Sequence, residues 1–408
     1  MIKKGFTFPK TTERLRQGPL SKYLDAYSVT QAGLGYEPLS IRQQLLVIAD
    51  FSGWLEGKEI AVRKIGDDDV DRFLRLRQRQ KRVRRGDPTA LKRMLAMLRE
   101  KGVVKREPAA SNAPAKVTAE FQQYLLHERR LSPATLRHYV PVIEQFLSES
   151  FGDETTNVRL LCASDVTKFV VRQAHRLSPV RAGLVVTALR SFFRYLRHRG
   201  KVSIDLSGCV PTVSNWSLST LPRFIPTNDV ERILKCCDRK SSVGRRNYAI
   251  LLLLARLGLR AGEVVGLTLD DIDWNAGQIT IRGKGGRSVP LPGRCGCSSG
   301  RISAQRSPPF VSRRAFIRHR APLIGFANAS AISTLVMRAI KHAGVESAHK
   351  GAHVLRHSLA TTLLRQGGSL DEIGELLRHK SPNTTAIYAK VDVTALHTLA
   401  LPWPGCRR

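Results

Sequence analysis

The chain has 408 residues and a formal net charge of +34, because 67 Lys and Arg side chains outnumber 33 Asp and Glu side chains. This length predicts two or three domains rather than one. The charge excess predicts a polyanionic partner, first of all nucleic acid, since the sequence shows no lipidation motif or basic amphipathic anchor that would favour a membrane surface.

Secretion and membrane insertion are not expected from the sequence. The N-terminal stretch MIKKGFTFPK has no apolar signal-peptide core. The longest apolar run, residues 248–259, contains Arg256 and is too short to span a bilayer. Seven scattered cysteines do not form a disulfide framework, and the Cys295-x-Cys297 pair has no second pair at zinc-ligand spacing. We therefore expect a cytoplasmic protein with no cofactor and no metal.

The first 200 residues predict helices arranged in two similar units. The matched segments are 40–51 with 135–146, 69–73 with 165–169, and 98–102 with 196–200. Each unit ends on a glycine stop signal, and Ser132-Pro133 is a helix start in the second. The pattern favours a duplicated helical bundle, and the alternative is chance similarity between amphipathic helices.

Basic side chains recur in both units. Residues 72–85 contain eight Lys or Arg and no Asp or Glu. Such a run is usually a solvated face, but its recurrence in so basic a chain favours contact with phosphates. The predicted DNA-binding residues are Arg75, Arg77, Arg79, Arg190, Arg194 and Arg197.

Two stretches rich in Pro, Ala or Ser, within residues 107–115 and 207–226, predict linkers. A helix start with early acidic residues follows at Thr227. The predicted domains are 1–110, a helical DNA-binding domain resembling the next; 116–205, a second helical bundle; 206–222, a linker; and 223–408, a C-terminal domain.

Two motifs of the C-terminal domain present isolated cations. The stretch GLRAGE places Arg260 at a turn between two predicted buried helices, where a guanidinium requires a partner. Glu263 is the nearest candidate partner. Residues 278–292 predict a β-hairpin, because apolar and polar side chains alternate at its start, and Lys284 lies at its tip. A lysine at a hairpin tip is usually only solvated, so Lys284 has a functional role only if the tip reaches a phosphate.

Two further motifs contain histidines. In HVLRHSLATTLL, His353, Arg356 and His357 lie on one helix face, and without the glutamate of HExxH they suit a phosphate better than a metal. In LLRHKSPNTTAIYAKVD, a helix starting at a Ser369 capping box ends at His379. A Ser-Pro turn and a short helix over 384–389 then present Tyr388, which by itself is more typical of packing.

Taken together, these motifs resemble the tyrosine recombinase (phage integrase) family over roughly residues 118–393. The residues that carry the resemblance are, in chain order, Arg260, Lys284, His353, Arg356, His379 and Tyr388. The resemblance implies a mainly α, multidomain fold. Helical DNA-binding bundles, the second a SAM-like core-binding domain, precede an α-rich catalytic domain with a small antiparallel β-sheet at residues 270–291.

The resemblance also implies a function: a site-specific DNA recombinase or integrase of a bacterial mobile element. Tyr388 would attack the scissile phosphodiester, giving a 3′-phosphotyrosine that a 5′-hydroxyl later reverses, and nearby cations would lower the pKa of Tyr388. The expected partners are double-stranded DNA and further protomers in a synaptic tetramer, with or without sister recombinases. The alternatives are a catalytically impaired DNA-binding accessory recombinase and a type IB topoisomerase-like strand transferase.

The other family residues take roles from the same resemblance. Arg260 and Arg356 would stabilise the transition-state charge. His353 would assist proton transfer, Lys284 would protonate the leaving oxygen, and His379 would contact a non-bridging oxygen.

Four interpretations lie outside that pattern. Glu263 is interpreted as orienting the arginines and His357 as structural support. Residues 293–309 lack the apolar periodicity of the helix expected there, so we expect a lost or distorted helix and activity that could be compromised. The additional N-terminal unit is expected to contact arm-type or flanking DNA.

Overall fold

A computed structural model describes residues 15, 17–80, 83–104, 113–152, 157–214, 224–281, 287–290, 313–347, 351–379 and 381–391. The chain divides into two compact units. Unit 1 combines Met1–Val104 with Thr220–Arg408, and unit 2 is Lys105–Ser219.

The N-terminal part of unit 1 is a helical bundle. Its helices are α1 (Leu24–Gly33), α2 (Pro38–Gly57), α3 (Asp67–Gln80) and α4 (Asp87–Glu100), with 3₁₀ turns at Ser21–Tyr23 and Val62–Lys64. Proline at the start of α2 has the backbone angle of a first helical residue, and three aspartates in the first turn of α3 favour its N-terminus. The core is apolar, and the Phe51 and Phe73 ring centroids lie 5.2 Å apart.

Unit 2 is a second helical bundle. It contains α5 (Ala113–Gln123), a π-helical turn (Tyr124–Glu128), α6 (Pro133–Phe151), a 3₁₀ turn (Val158–Leu160), α7 (Ala163–Arg176) and α8 (Pro179–His198). Ser132 caps α6 by accepting a hydrogen bond from the Thr135 amide, which confirms the predicted helix start. The Phe146 and Phe169 ring centroids lie 5.2 Å apart in its core.

The two bundles share one order of elements. In each, a long helix starting at proline is followed by a 3₁₀ turn, a helix with an acidic residue in its first turn, and a final helix. The final helices end before Gly102 and Gly200, whose φ angles of 67° and 63° lie in the left-handed region that glycine tolerates. The packed pairs Phe51–Phe73 and Phe146–Phe169 are the positions matched in the sequence. This arrangement supports the predicted repeat; the domain bounds stay a prediction.

The C-terminal part of unit 1 is mainly helical with one small sheet. The helices are α9 (Thr227–Lys235), α10 (Ser242–Arg256), α11 (Ala261–Gly266), α12 (Ala329–His342), α13 (Ala352–Arg365), α14 (Leu370–Leu376) and α15 (Pro382–Thr385), with 3₁₀ turns at Leu269–Asp271 and Ala386–Val391. Strands β1 (Ile272–Asp273), β2 (Gln278–Ile281) and β3 (Arg287–Pro290) form an antiparallel sheet in the order β1-β2-β3. Ile279 pairs with Val289 in the predicted hairpin. The predicted mainly α fold with a small antiparallel sheet is confirmed.

Helix α10 passes through the core of this part. Residues 248–255 are all buried, because the helix is apolar on every side there. A smaller cluster of Ala360, Ile373, Leu377 and Tyr388 joins α13, α14 and the final 3₁₀ turn. In the part of the chain that the structure describes, no helix is both long and apolar enough to cross a membrane. Residues 293–309 lie outside the described residues, so the expected loss of a helix there stays a prediction.

Candidate active site

Arg260 lies at the N-terminus of α11, as the sequence predicts, and its partner is Glu263. Its Nη1 atom is 2.8 Å from Glu263 Oε1, and its backbone amide donates to Oε2 at 2.8 Å. The carboxylate therefore caps the helix and holds the guanidinium at once. The Arg260 side chain keeps 40% of its surface exposed, so it can still meet an anion from solution.

A second arginine, Arg378, shares this carboxylate and was missed in the sequence. Its Nη2 atom lies 3.3 Å from Glu263 Oε2, and its carbonyl oxygen accepts a hydrogen bond of 3.1 Å from Arg260. Arg378 follows α14 with φ at 57°, a left-handed conformation usually taken by glycine after a helix. The only available signal was an arginine at a helix end.

We expect Arg378→Gly to be more stable than Arg378→Ala by about 1 kcal/mol, the reverse of the usual order of these residues. Both variants lose the contact with Glu263, but only glycine adopts the left-handed angle without strain. Thermal unfolding of the two variants measures the difference. Equal stability, or a more stable alanine variant, would contradict the strain.

The carboxyl of Glu263 titrates below its usual range. Burial by itself raises its pKa, but hydrogen bonds from the Arg260 amide and guanidinium, with the charges of Arg378 and Arg260, bring the pKa below 4.5. A carboxyl whose pKa is lower in the folded state than in the unfolded state stabilises the fold at pH values above its unfolded-state pKa. That stabilisation is lost as the pH falls through its folded-state pKa.

Glu263→Gln should therefore lower the stability of unit 1 by about 2 kcal/mol at neutral pH, since charge-assisted hydrogen bonds are lost. The difference from wild type should shrink as pH falls below 4.5 toward the folded pKa of Glu263. Urea unfolding midpoints at a series of pH values test this. A stability difference that does not change with pH would contradict it.

Arg356 is the most enclosed arginine of the site, with 4% of its surface exposed. Its guanidinium donates to the carbonyl oxygens of Gly258 and Leu377, so it connects α13 to the turn before α11 and to the end of α14. Burial, and then repulsion by Arg260 and Arg378, lowers the pKa of Arg356 to about 10, which leaves it charged at neutral pH.

Tyr388 lies in the same place but is fully enclosed, with 1% of its surface exposed. Its Oη atom shares a hydrogen bond of 2.8 Å with Nδ1 of His357. Burial raises the pKa of Tyr388 to about 12, and the Arg356 charge offsets only part of this increase. The expected lowering by a nearby cation is present, but desolvation of the phenolate is the larger effect, so the net shift of this pKa is upward.

The other predicted histidines are close by. The His379 ring is parallel to that of Tyr388, with centroids 6.4 Å apart, and its Nδ1 atom is 2.7 Å from Thr385 Oγ1. Burial, and then the charges led by Arg356, lowers the pKa of His379 to about 4. Partial burial, Arg356 and Arg260 also lower the pKa of His353. Both rings are therefore neutral at pH values near 7.

The predicted face of α13 is confirmed, since the His353 and His357 ring centroids lie 6.5 Å apart. The capping box at Ser369 is also confirmed. Lys284 lies outside the described residues, and its place at the site stays a prediction. Among the residues that the structure describes, no group of three or more His, Cys, Asp or Glu side chains could hold a metal ion.

The predicted DNA-binding arginines fall into two groups. Arg75, Arg79 and Arg194 are exposed, and Arg197 is an exposed partner of Asp205. Two others have internal partners, which the sequence could not show. Arg77 Nη1 lies 2.6 Å from Asp50 Oδ2, and Arg77 Nε lies 3.4 Å from Asp87 Oδ2. Arg190 donates to the Val210 carbonyl oxygen at 2.9 Å.

Comparisons with known proteins agree on one family. The sequence model for the phage integrase family matches residues 223–394, and the model for the phage integrase N-terminal SAM-like domain matches residues 118–200. The integrase/recombinase y4rA of Sinorhizobium fredii (strain NBRC 101917 / NGR234) is 45% identical over 95% of this chain and 96% of its own. Tyrosine recombinase XerD of Listeria monocytogenes serovar 1/2a (strain ATCC BAA-679 / EGD-e) is 31% identical over 67% of this chain and 93% of its own.

Solved structures share the fold. The XerH site-specific recombinase bound to palindromic difH substrate, in a post-cleavage complex, has a TM-score of 0.55 at 21% identity. That match covers 76% of this chain and 94% of the other. The Tn1549 transposon integrase in complex with a circular intermediate DNA has a TM-score of 0.51 at 16% identity, covering 70% of this chain and 99% of the other.

Proposed function

Since the chain belongs to the phage integrase family of tyrosine recombinases, we propose that it is a site-specific DNA recombinase of a mobile element, working through a 3′-phosphotyrosine intermediate. The observation that carries the proposal is the cluster of Arg260, Arg356, His379 and Tyr388, held by contacts among α11, α13 and the turn after α14. The charge of +34 and the DNA bound by the XerH and Tn1549 proteins support DNA as the substrate.

The arginines would bind the scissile phosphate. Arg260 is half-exposed and oriented by Glu263, so it can direct a guanidinium fork at the non-bridging oxygens. Arg356, which is buried, adds a second positive charge. Its hydrogen bonds to the carbonyl oxygens of Gly258 and Leu377 hold α13 to the turn before α11 and to the end of α14. Preorganised donors of this kind stabilise the charge that develops in the transition state.

His379 would contribute a neutral donor. With its pKa at about 4, the ring is uncharged, and the Thr385 hydroxyl can donate to Nδ1. The proton then sits on Nε2, which can donate to a non-bridging oxygen.

Tyr388 would supply the nucleophile. Its hydroxyl would give up its proton, which His353 is proposed to accept, and its oxygen would bond to phosphorus as the bond from phosphorus to the 5′-oxygen breaks. Lys284 is proposed to protonate the leaving 5′-oxygen. Because Tyr388 is enclosed, the phosphate can reach it only after a local movement of the final 3₁₀ turn. We further propose self-association into a synaptic tetramer, with the same chain or sister recombinases.

A covalent trap tests the proposal without knowledge of the target site. Purified protein is mixed with a pool of nicked duplexes that carry random sequence around the nick, and protein-linked DNA is recovered under denaturing conditions and sequenced. We expect recovery of a common sequence, with the DNA attached to the peptide that contains Tyr388. DNA binding without any linkage would instead indicate a DNA-binding accessory protein.

Within α3, replacing Arg77 should affect stability, whereas replacing the exposed Arg75 and Arg79 should affect DNA binding. Arg77→Ala should destabilise the N-terminal bundle, because Asp50 and Asp87 lose their partner. Joint replacement of Arg75 and Arg79 by alanine should leave stability near wild type and weaken DNA binding, with the salt slope reduced by about 0.9 per lost phosphate contact. Thermal unfolding measures the stability of each variant, and DNA-binding titrations at several salt concentrations measure the affinity and its salt slope. An unchanged salt slope would exclude this helix from the DNA interface.

A further inference from the structure

A basic cleft of about 940 Å³ lies where the turn between α1 and α2 meets the C-terminal part of unit 1. It is lined by residues 35–37 and Ser40 of the N-terminal bundle, by the start of α10, and by the loop 317–323. Among the described lining residues Glu37 is the single acid, so four guanidiniums share the cleft with one carboxylate. The basic lining residues are Arg245, Arg246, Arg318, His319 and Arg320.

Backbone contacts join the two sides of the cleft. The Leu323 amide donates to the Leu34 carbonyl oxygen at 2.9 Å. Gly35 has a φ angle of 79°, and a Cβ atom there would lie 2.5 Å from Leu323 Cδ1, so the absence of a side chain allows this close approach. An antiparallel bridge between Ile317 and Gly325 closes the loop. The basic side chains of the loop therefore project from a backbone that is anchored to the N-terminal bundle.

The two arginines of α10 are held by neutral groups. Arg246 is 8% exposed, its Nη1 atom donates to the Ile317 carbonyl oxygen at 3.0 Å, and its guanidinium carbon lies 5.0 Å from the centroid of the Phe326 ring. Burial lowers the pKa of Arg246 to about 10, which leaves it charged at neutral pH. Arg245 Nη1 donates to the Lys240 carbonyl oxygen at 2.8 Å. Neither arginine forms an ion pair with a described acidic side chain, so both charges remain available to an anion.

The cleft also offers donors that lack acceptors. Arg318 and Arg320 are exposed, and neither forms an ion pair within the part of the chain that the structure describes. The Nε atom of Arg245 and the Nε2 atom of His319 are enclosed and have no hydrogen-bond partner among the described residues. An enclosed N–H group without an acceptor destabilises the fold, and an oxygen-rich anion beside Arg245 would supply the acceptor.

Helix α10 separates this cleft from the phosphate site proposed above. The helix begins at Ser242, which lines the cleft, and it ends at Arg256, shortly before Arg260. Its 15 residues span about 22 Å at 1.5 Å per residue. An anion in the cleft is therefore not the scissile phosphate.

The chemistry of the cleft favours a nucleic-acid backbone over a small organic ligand. Pockets for small ligands are lined mainly by apolar side chains with a few polar groups. Arginine forks instead match phosphate oxygens, and contacts to phosphates position a duplex without reading its sequence. The net charge of +34 supports the same ligand class.

We propose that this cleft binds the phosphodiester backbone of duplex DNA that flanks the recombination site. Arg318 and Arg320 contact the phosphates from the exposed edge, and Arg245 and Arg246 add positive charge from α10. The N-terminal bundle and the C-terminal part thus hold flanking DNA between them, at a site separate from the active site. The inference rests on the proposed function only in taking DNA as the ligand.

The test measures binding to two duplexes. A long duplex is selected from a random pool by its binding to the wild-type protein, and the short duplex is its central part. The long duplex extends about 15 base pairs, roughly 50 Å, beyond each end of the short one, which exceeds the length of α10. Joint replacement of Arg318 and Arg320 by alanine should weaken binding to the long duplex about tenfold and reduce its salt slope by about 1.8, or 0.9 for each lost phosphate contact. Binding to the short duplex should stay at the wild-type level.

Two further variants separate this contact from a general effect of charge or folding. Joint replacement of Arg232 and Lys235, exposed on α9, removes the same charge and should leave the preference for the long duplex unchanged. Glu37→Gln should tighten binding to the long duplex about twofold, because it removes the carboxylate that repels a phosphate. A damaged fold would not bind DNA more tightly.

Three outcomes would overturn the proposal. One is an Arg318→Ala, Arg320→Ala protein whose affinity for the long duplex is within about twofold of wild type with the same salt slope. Another is equal weakening on both duplexes, which would assign the two arginines to the core site. The third is a wild-type protein that binds both duplexes equally well. Binding is measured without a covalent step, so failure of wild type to attach to DNA would contradict the recombinase function alone.

Discussion

Phenylalanine in place of Tyr388 is expected to lower covalent attachment to DNA on the order of a million-fold, as removal of a catalytic nucleophile does in other enzymes. The fold should survive the change. The ring stays packed against Ala360, Ile373 and Leu377, and only the hydrogen bond to His357 is lost, which is worth about 1 kcal/mol.

Denaturing gels with the selected nicked duplex measure attachment, and a binding titration shows whether DNA affinity is retained. The matched control is Tyr248→Phe, because Tyr248 is also a buried tyrosine of the C-terminal part of unit 1. It should attach to DNA at the wild-type rate. Attachment by the Tyr388→Phe protein would show that another residue is the nucleophile.

Alanine in place of Arg356 is expected to reduce both activity and stability. The Leu377 carbonyl oxygen loses its Arg356 donor inside the site, at about 1–3 kcal/mol, and the Gly258 carbonyl oxygen keeps only the weaker 3.5 Å hydrogen bond from Arg378. Relief of the repulsion from Arg260 and Arg378 offsets part of that loss. Loss of a guanidinium from the phosphate site should slow cleavage by at least about 100-fold.

Arg356→Lys distinguishes the two effects. Lysine keeps the charge, but its single ammonium lacks the planar fork that reaches two carbonyls. We expect the lysine variant to be intermediate in rate and clearly less stable than wild type. Arg256→Ala is the control, because Arg256 forms an exposed ion pair with Glu231 that adds little stability. Wild-type rate and melting temperature for Arg356→Ala would contradict the proposed role of its hydrogen bonds.

The sequence supported the fold class and the candidate residues because their signals are local. The Ser369 capping box, the proline at the start of α6 and the alternation of Ile279 and Ile281 each depend on a few adjacent residues. The pairing of Arg260 with Glu263 is local as well, since the two lie three positions apart on one turn of helix.

Contacts between distant segments were not accessible in the same way. Arg378 and Glu263 are 115 positions apart, and Arg77 and Asp50 are 27 apart. A run of basic residues therefore predicted DNA contact for Arg77, while packing of α3 against its neighbours places that side chain between two carboxylates.

The sequence by itself determined the helical class, the hairpin and the order of chemical groups, since periodicity, caps and motif spacing are properties of neighbouring residues. Only the tertiary structure decided which histidine contacts Tyr388 and how deeply that tyrosine is buried. His353 and His357 lie on one face of α13, and the sequence cannot distinguish them as partners. The packing of the final 3₁₀ turn against α13 selects His357, because a hydrogen bond depends on ångström-scale positions that no helical pattern specifies.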